Sequence, residues 1–102
     1  MTGTEHHWLV PEDLPAFDGH FPGRPIVPGV VLLDRVMRLA QEAMPGVPQG
    51  AWLVSQVKFL SPCGPGEELV FSFGKGARAG WTFDVRSGGR EVATGSLQAR
   101  AA

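Results

Sequence analysis

The chain has 102 residues, 43% of them apolar, with a single cysteine and a net charge of −1, which fits one domain spanning residues 1–102 and leaves no room for a second. One cysteine excludes an intrachain disulfide, the opening MTGTEHHW has neither the cationic nor the apolar stretch of a secretory signal, and the most apolar window, VPGVVLL, is interrupted by Pro28 and Gly29, far short of the roughly 18 residues a spanning helix needs. The expectation is a cytoplasmic protein without a membrane or nucleic-acid partner, small enough that dimerisation is a natural route to a larger core.

In chain order, residues 6–10, HHWLV, suit a short strand, and the Pro- and Gly-rich residues 11–29 suit a loop. A loop that long in a small domain is more often functional than idle. The spacing predicts a helix from about Gly29 to Ala43, stopped by Pro45 and Gly46. On a helical wheel Leu32, Leu33, Val36, Met37, Leu39, Ala40 and Ala43 cover one side, with Val30 at its margin. Asp34, Arg35, Arg38, Gln41 and Glu42 cover the other. Beyond residue 50 the period changes to two, and AWLVSQVKFL, EELVFSF, GWTFDVR and REVATGSLQA read as four strands. The intervening SPCGPG, GKGARAG and SGG read as turns, so the four strands are expected to form a meander. One helix followed by consecutive antiparallel strands is an α+β domain whose sheet wraps the helix.

Three features of residues 19–34, GHFPGRPIVPGVVLLD, can carry chemistry. An unperturbed histidine can take or give a proton near neutral pH, which makes His20 a candidate, and Gly19 and the Phe21–Pro22 pair shape the backbone around it; a loop histidine with a structural hydrogen bond is the bland alternative. Asp34 can act as an acid, or simply pair with Arg38 one turn later, an exposed arrangement worth only about 0.2 to 0.5 kcal/mol. Gly29 opens a helix whose first amides lack partners and whose end is partly positive, a place for a carbonyl oxygen, or else a glycine required by packing. Elsewhere, GKGARAG lacks the spacing of a phosphate loop. His6 and His7 adjoin on a strand and so point to opposite faces, which leaves no set of metal ligands. Cys63 lies in a turn with no basic neighbour to activate it and reads as structural. All nine Lys and Arg lie after residue 23, against six acids there, while residues 1–23 carry four acids and no Lys or Arg. That asymmetry suits either a solvated surface or an acidic partner.

The same stretch resembles the β-hydroxyacyl-acyl carrier protein dehydratases of the FabZ and FabA group, whose signature is close to GHFPxxPxxPGVxxx(E/D). Here it is matched by Gly19, His20, Phe21, Pro22, Pro25, Pro28, Gly29, Val30 and Asp34. A second segment is similar to KFxxPxxPGdxL, through Lys58, Phe59, Pro62, Pro65, Gly66 and Leu69. The resemblance implies the hotdog fold, a homodimer, no cofactor or metal, and a 3-hydroxyacyl thioester delivered by an acyl carrier protein. In such a site His20 is the base that removes the α-proton, and Asp34, supplied by the other subunit, is the acid that assists loss of the hydroxyl. The amides of Gly29 and Val30 receive the thioester carbonyl, with Phe21 and Pro28 beside the substrate. Arg24, Lys58, Arg78 and Arg90 are candidates for docking the acidic carrier. The chain is shorter than the fatty-acid enzymes and in that respect resembles the dehydratases of polyketide and aryl-polyene pathways. Arg38 stands where the family usually has a Gln that orients the acid; a cation there favours ionised Asp34, and Gln41 is a possible substitute. A hotdog thioesterase or enoyl-thioester hydratase, and a non-catalytic acyl-carrier-binding protein, are the alternatives.

Overall fold

In a computed structural model the chain is described over residues 4–14, 26–44, 46, 52–76 and 80–99. Strand β1 spans Thr4–Leu9, helix α1 Gly29–Ala43, and strands β2 to β5 span Trp52–Phe59, Glu68–Lys75, Gly80–Ser87 and Arg90–Ala99. The helix begins where the sequence pattern places it, directly after Pro28, whose extended backbone caps it without a side-chain hydrogen bond. It ends at Met44, whose amide donates to the Ala40 carbonyl at 2.9 Å, one residue before Pro45 would break the ladder.

The apolar side of the helix packs on the sheet as its periodicity requires. Leu32, Val36, Leu39 and Ala40 are buried against Leu69, Phe71 and Phe73 of β3, Phe83 and Val85 of β4, and Val92, Ala93 and Leu97 of β5. Removing each large side chain of this group from water contributes roughly 1.5–3 kcal/mol. Alternation is clear in β3 from Leu69 to Phe73, where every second residue is buried. In β5 a register shift opposite Val85 and Arg86 turns two consecutive residues, Val92 and Ala93, inward, the usual effect of a bulge.

The five strands are antiparallel in the order β1-β3-β4-β5-β2. The expected four-strand meander therefore holds only for β3, β4 and β5; β2 lies beside β5 instead of β3. The two true hairpins have short closures. Gly88 and Gly89, both at positive φ (55° and 88°), supply the two-residue turn that matches strand twist, and the Gly76 amide donates to the Gly80 carbonyl at the other. Residues 60–67, by contrast, are too many for a tight hairpin, and their two prolines cannot donate to a ladder. They cross the end of the sheet. The Leu60 and Ser61 amides bond the Val92 carbonyl of β5, the Cys63 carbonyl receives the Val27 amide, and Gly66 and Glu67 exchange backbone bonds with Val10 beyond β1. This crossing places residues 59–63 beside the start of the helix.

Candidate active site

The start of the helix has the features that its Pro-Gly sequence suggests. The amides of Val31 and Leu32 donate to the Pro28 carbonyl at 3.0 and 3.2 Å, while the amides of Gly29 and Val30 have no backbone acceptor among the described residues. Among the described residues no side chain caps this end, and the first turn holds no acid, so the helix itself does not compensate its partial positive charge there. A cavity of about 460 Å³ abuts it, lined by Ile26, Val27, Gly29 and Leu32 on one side and by residues 59–63 on the other. The Phe59 ring lies across Gly29: a Cβ there would come within 2.8 Å of the ring's Cζ. Phe59 is 51% exposed, so a ring held on one side only covers the site.

Asp34 lies elsewhere. Five residues after Gly29, at 3.6 residues per turn, it is rotated roughly 140° around the helix and does not line the cavity. It shares an exposed stripe with Val30, which is 74% exposed, and with Arg38, whose Nε donates to Asp34 Oδ2 at 2.8 Å. The surface ion pair foreseen from the i,i+4 spacing is thus present. Gln41 is engaged with the sheet, its Oε1 accepting from Trp52 Nε1 at 3.1 Å. Arg35 stacks its guanidinium over the Trp8 ring, 4.3 Å from the centroid.

His20, Phe21, Arg24 and Arg78 lie outside the described residues. Lys58 is exposed and sits between Val57, which packs on the core, and Phe59, which packs on Gly29; strand alternation aims it at the opposite face of the sheet. Arg90 is tied into a local network: its Nη2 donates to Glu67 Oε1 at 2.7 Å and to the Pro62 carbonyl at 3.0 Å, and its Nε donates to Ser61 Oγ at 3.1 Å. Glu67 also accepts from Ser87 Oγ and the Gly64 amide. These bonds, the Ser87 hydroxyl's foremost, hold its carboxyl below its ordinary value. Sequence reasoning missed this network. Its only trace was the acidic position of the second motif segment, filled here by Glu67.

Cys63 is 3% exposed at the wall of the cavity. Burial pushes its thiol up to about 11, the Glu67 charge adds to this, and Arg90 offsets only part of it. A basic neighbour is present, contrary to expectation, but the thiol stays protonated and inert. His6 faces the core side, with its ring edge-on to Phe73 at 5.9 Å and its Nε2 buried without a hydrogen-bond partner among the described residues. His7 faces away and lies 3.3 Å from Glu68.

The sequence model of the ApeI-like family, the ApeI dehydratases, matches residues 2–96. A 3-hydroxyacyl-[acyl-carrier-protein] dehydratase FabZ from Thermus thermophilus is 43% identical over 63 residues, covering 55% of this chain and 44% of the relative. The chain spans less than half the length of that curated relative. Among solved structures, the dehydratase heterocomplex ApeI:P from Xenorhabdus doucetiae superposes with a TM-score of 0.79 at 25% identity, over 98% of this chain and 88% of that one. The fluoroacetyl-CoA thioesterase FlK superposes at 0.69 over 93% of this chain and 81% of its own, but at 13% identity, a likeness of fold alone. The shared fold is the hotdog fold, one helix against an antiparallel sheet.

Proposed function

The chain belongs to the ApeI-like family of dehydratases, and from that premise we propose that it removes water from a 3-hydroxyacyl thioester carried on an acyl carrier protein, leaving the trans-2-enoyl thioester. The observation that carries this is the apolar cavity ending at Gly29, where an uncapped helix start faces space fit for an acyl thioester. Removing an α-proton builds negative charge on the thioester oxygen, and amides already aimed at that oxygen stabilise it without reorganising, an effect worth about 2.7–4 kcal/mol per donor. We assign these donors to Gly29 and Val30, the base to His20 and the acid to Asp34, with Phe21 and Pro28 beside the acyl group.

Asp34 points away from its own chain's cavity, which supports its serving a second subunit. A homodimer answers this need, and the exposed Ile26, Val30, Phe59 and Leu60 around the helix start are apolar surface that a partner would cover. Such an interface would bring Asp34 to the partner's cavity, where its carboxyl can meet the departing hydroxyl. We further take residues 1–102 as one domain and the protein as cytoplasmic; no described helix is long and apolar enough to cross a membrane. Of the docking candidates in the described residues, Lys58 has no ion pair with another described residue, whereas Arg90 is held by Glu67.

The Arg38–Asp34 pair favours a second reading, a protein that binds the acyl carrier without dehydrating its cargo, because Arg38 occupies the carboxylate oxygen that would have to meet the hydroxyl. Mass spectrometry of a 3-hydroxyacyl-acyl carrier protein separates the two. Loss of water is expected with the native chain, falling at least about 100-fold in His20→Ala and Asp34→Asn and about 10-fold or more in Gly29→Ala, whose methyl would crowd the carbonyl site. Binding with no loss of water, appearing only in Arg38→Gln, would favour the second reading. Release of free thiol instead would mark a thioesterase.

A further inference from the structure

The cavity wall opposite the helix is a crossing loop, and a loop alone does not hold a surface to the fraction of an ångström that orientation requires. Two sets of bonds fix this one. From the β5 side, Arg90 Nη2 bonds the Pro62 carbonyl and its Nε bonds Ser61 Oγ, while Ser61 Oγ donates to the Glu91 carbonyl at 2.7 Å. From the β3 side, Glu67 Oε2 accepts the Gly64 amide at 2.8 Å, and Oε1 accepts both Ser87 Oγ at 2.6 Å and Arg90 Nη2 at 2.7 Å. Residues 61–64 are thus gripped on both sides of Cys63. The Cys63 carbonyl in turn receives the Val27 amide at 2.8 Å, two residues before Gly29.

Resting on the dehydration proposed above, we propose that Glu67 and Arg90 are positioning residues of the acyl pocket, which set the wall at residues 60–63 and, through the Cys63–Val27 bond, the register of that wall against the helix start. They do not touch the reacting atoms. Their charges are engaged with each other and with the loop, at the turn side of the β4–β5 hairpin, and contribute geometry to a site on the other side of the wall. Breaking the grip leaves the donors at Gly29 intact and loosens the surface that the acyl group lies on. The loss then falls on binding that ground and transition states share, which appears in KM more than in kcat.

Two readouts test this, one of which is independent of any dehydration. Cys63 is the sole cysteine, is buried and belongs to the wall, so its rate of reaction with an aromatic disulfide reagent reports wall opening at one residue. Glu67→Gln and Arg90→Gln are each expected to raise that rate about tenfold while the native fold persists, and to raise KM about tenfold with kcat within about twofold. The double variant is expected to be no worse than the worse single one, since both act through one network. Ser87→Ala, which removes one bond and no charge, should show the same two changes at about two- to threefold and serves if the charge variants do not fold. Thiol reactivity and KM unchanged in these variants would overturn the assignment, as would strictly additive effects in the double variant. A native chain that dehydrates nothing would defeat the functional proposal, yet the thiol rates would still decide whether the grip sets the wall.

Discussion

Strands β3 and β2 have similar apolar content but bury it differently. Of eight residues in β3, Leu69, Phe71 and Phe73 are buried under the helix. In β2, Trp52, Leu53, Val54, Val57 and Phe59 are apolar, yet none reaches full burial, and Leu53 and Phe59 are exposed. The difference follows from position. β3 has neighbours on both sides and the helix above it, whereas β2 is a sheet edge beside the helix start, where the cavity opens. One region spends its side chains on its own core and the other holds them at a surface, and the candidate site belongs to the second.

Substitutions can break or sharpen that contrast. Phe71→Ala empties a fully buried site and should cost about 3–5 kcal/mol in denaturant unfolding, while Phe59→Ala should cost less than about 1 kcal/mol at low protein concentration. Equal costs would erase the distinction between the regions, and a Phe59→Ala cost that grows with concentration would place this ring in a subunit interface. Gly95→Ala should cost about 1–3 kcal/mol, because a Cβ there collides with the Gln56 carbonyl and the Phe83 ring where β2 bulges against β5; an unchanged midpoint would mean that β2 is held loosely enough to move aside.

The smallest expected effect lies at Glu67. Its folded carboxyl is held below the ordinary value of 4.5, so near pH 4 the unfolded chain binds more protons than the folded one, and stability falls as pH falls through that window. Its contribution is fully present above about pH 4.5 and is lost as pH falls below that. Glu67→Gln should flatten the acid limb of a stability–pH profile and leave its neutral plateau lower. A parallel shift at every pH would assign the loss to shape and not to charge.

The elements were legible in the sequence because each depends on local spacing. The helix is bounded by Pro28 and Pro45, its apolar side repeats at 3.6, and the strands alternate at two. The motif from Gly19 to Asp34 was equally legible, since it is a pattern of residue types. Strand neighbours were not: β2 beside β5 depends on where an eight-residue crossing lands, which is decided by backbone bonds from far along the chain, with the Val92 carbonyl accepting, the Val27 amide donating and Val10 doing both. The same holds for Arg90, which by composition is a surface cation and by tertiary placement is bonded to Glu67 and the Pro62 carbonyl. Residue chemistry and periodicity are properties of short stretches, and the sequence by itself determines them. Which groups meet across the fold depends on burial and hydrogen bonding summed over the whole chain, so only the tertiary structure decided how the cavity wall is held and that Asp34 faces away from its own pocket.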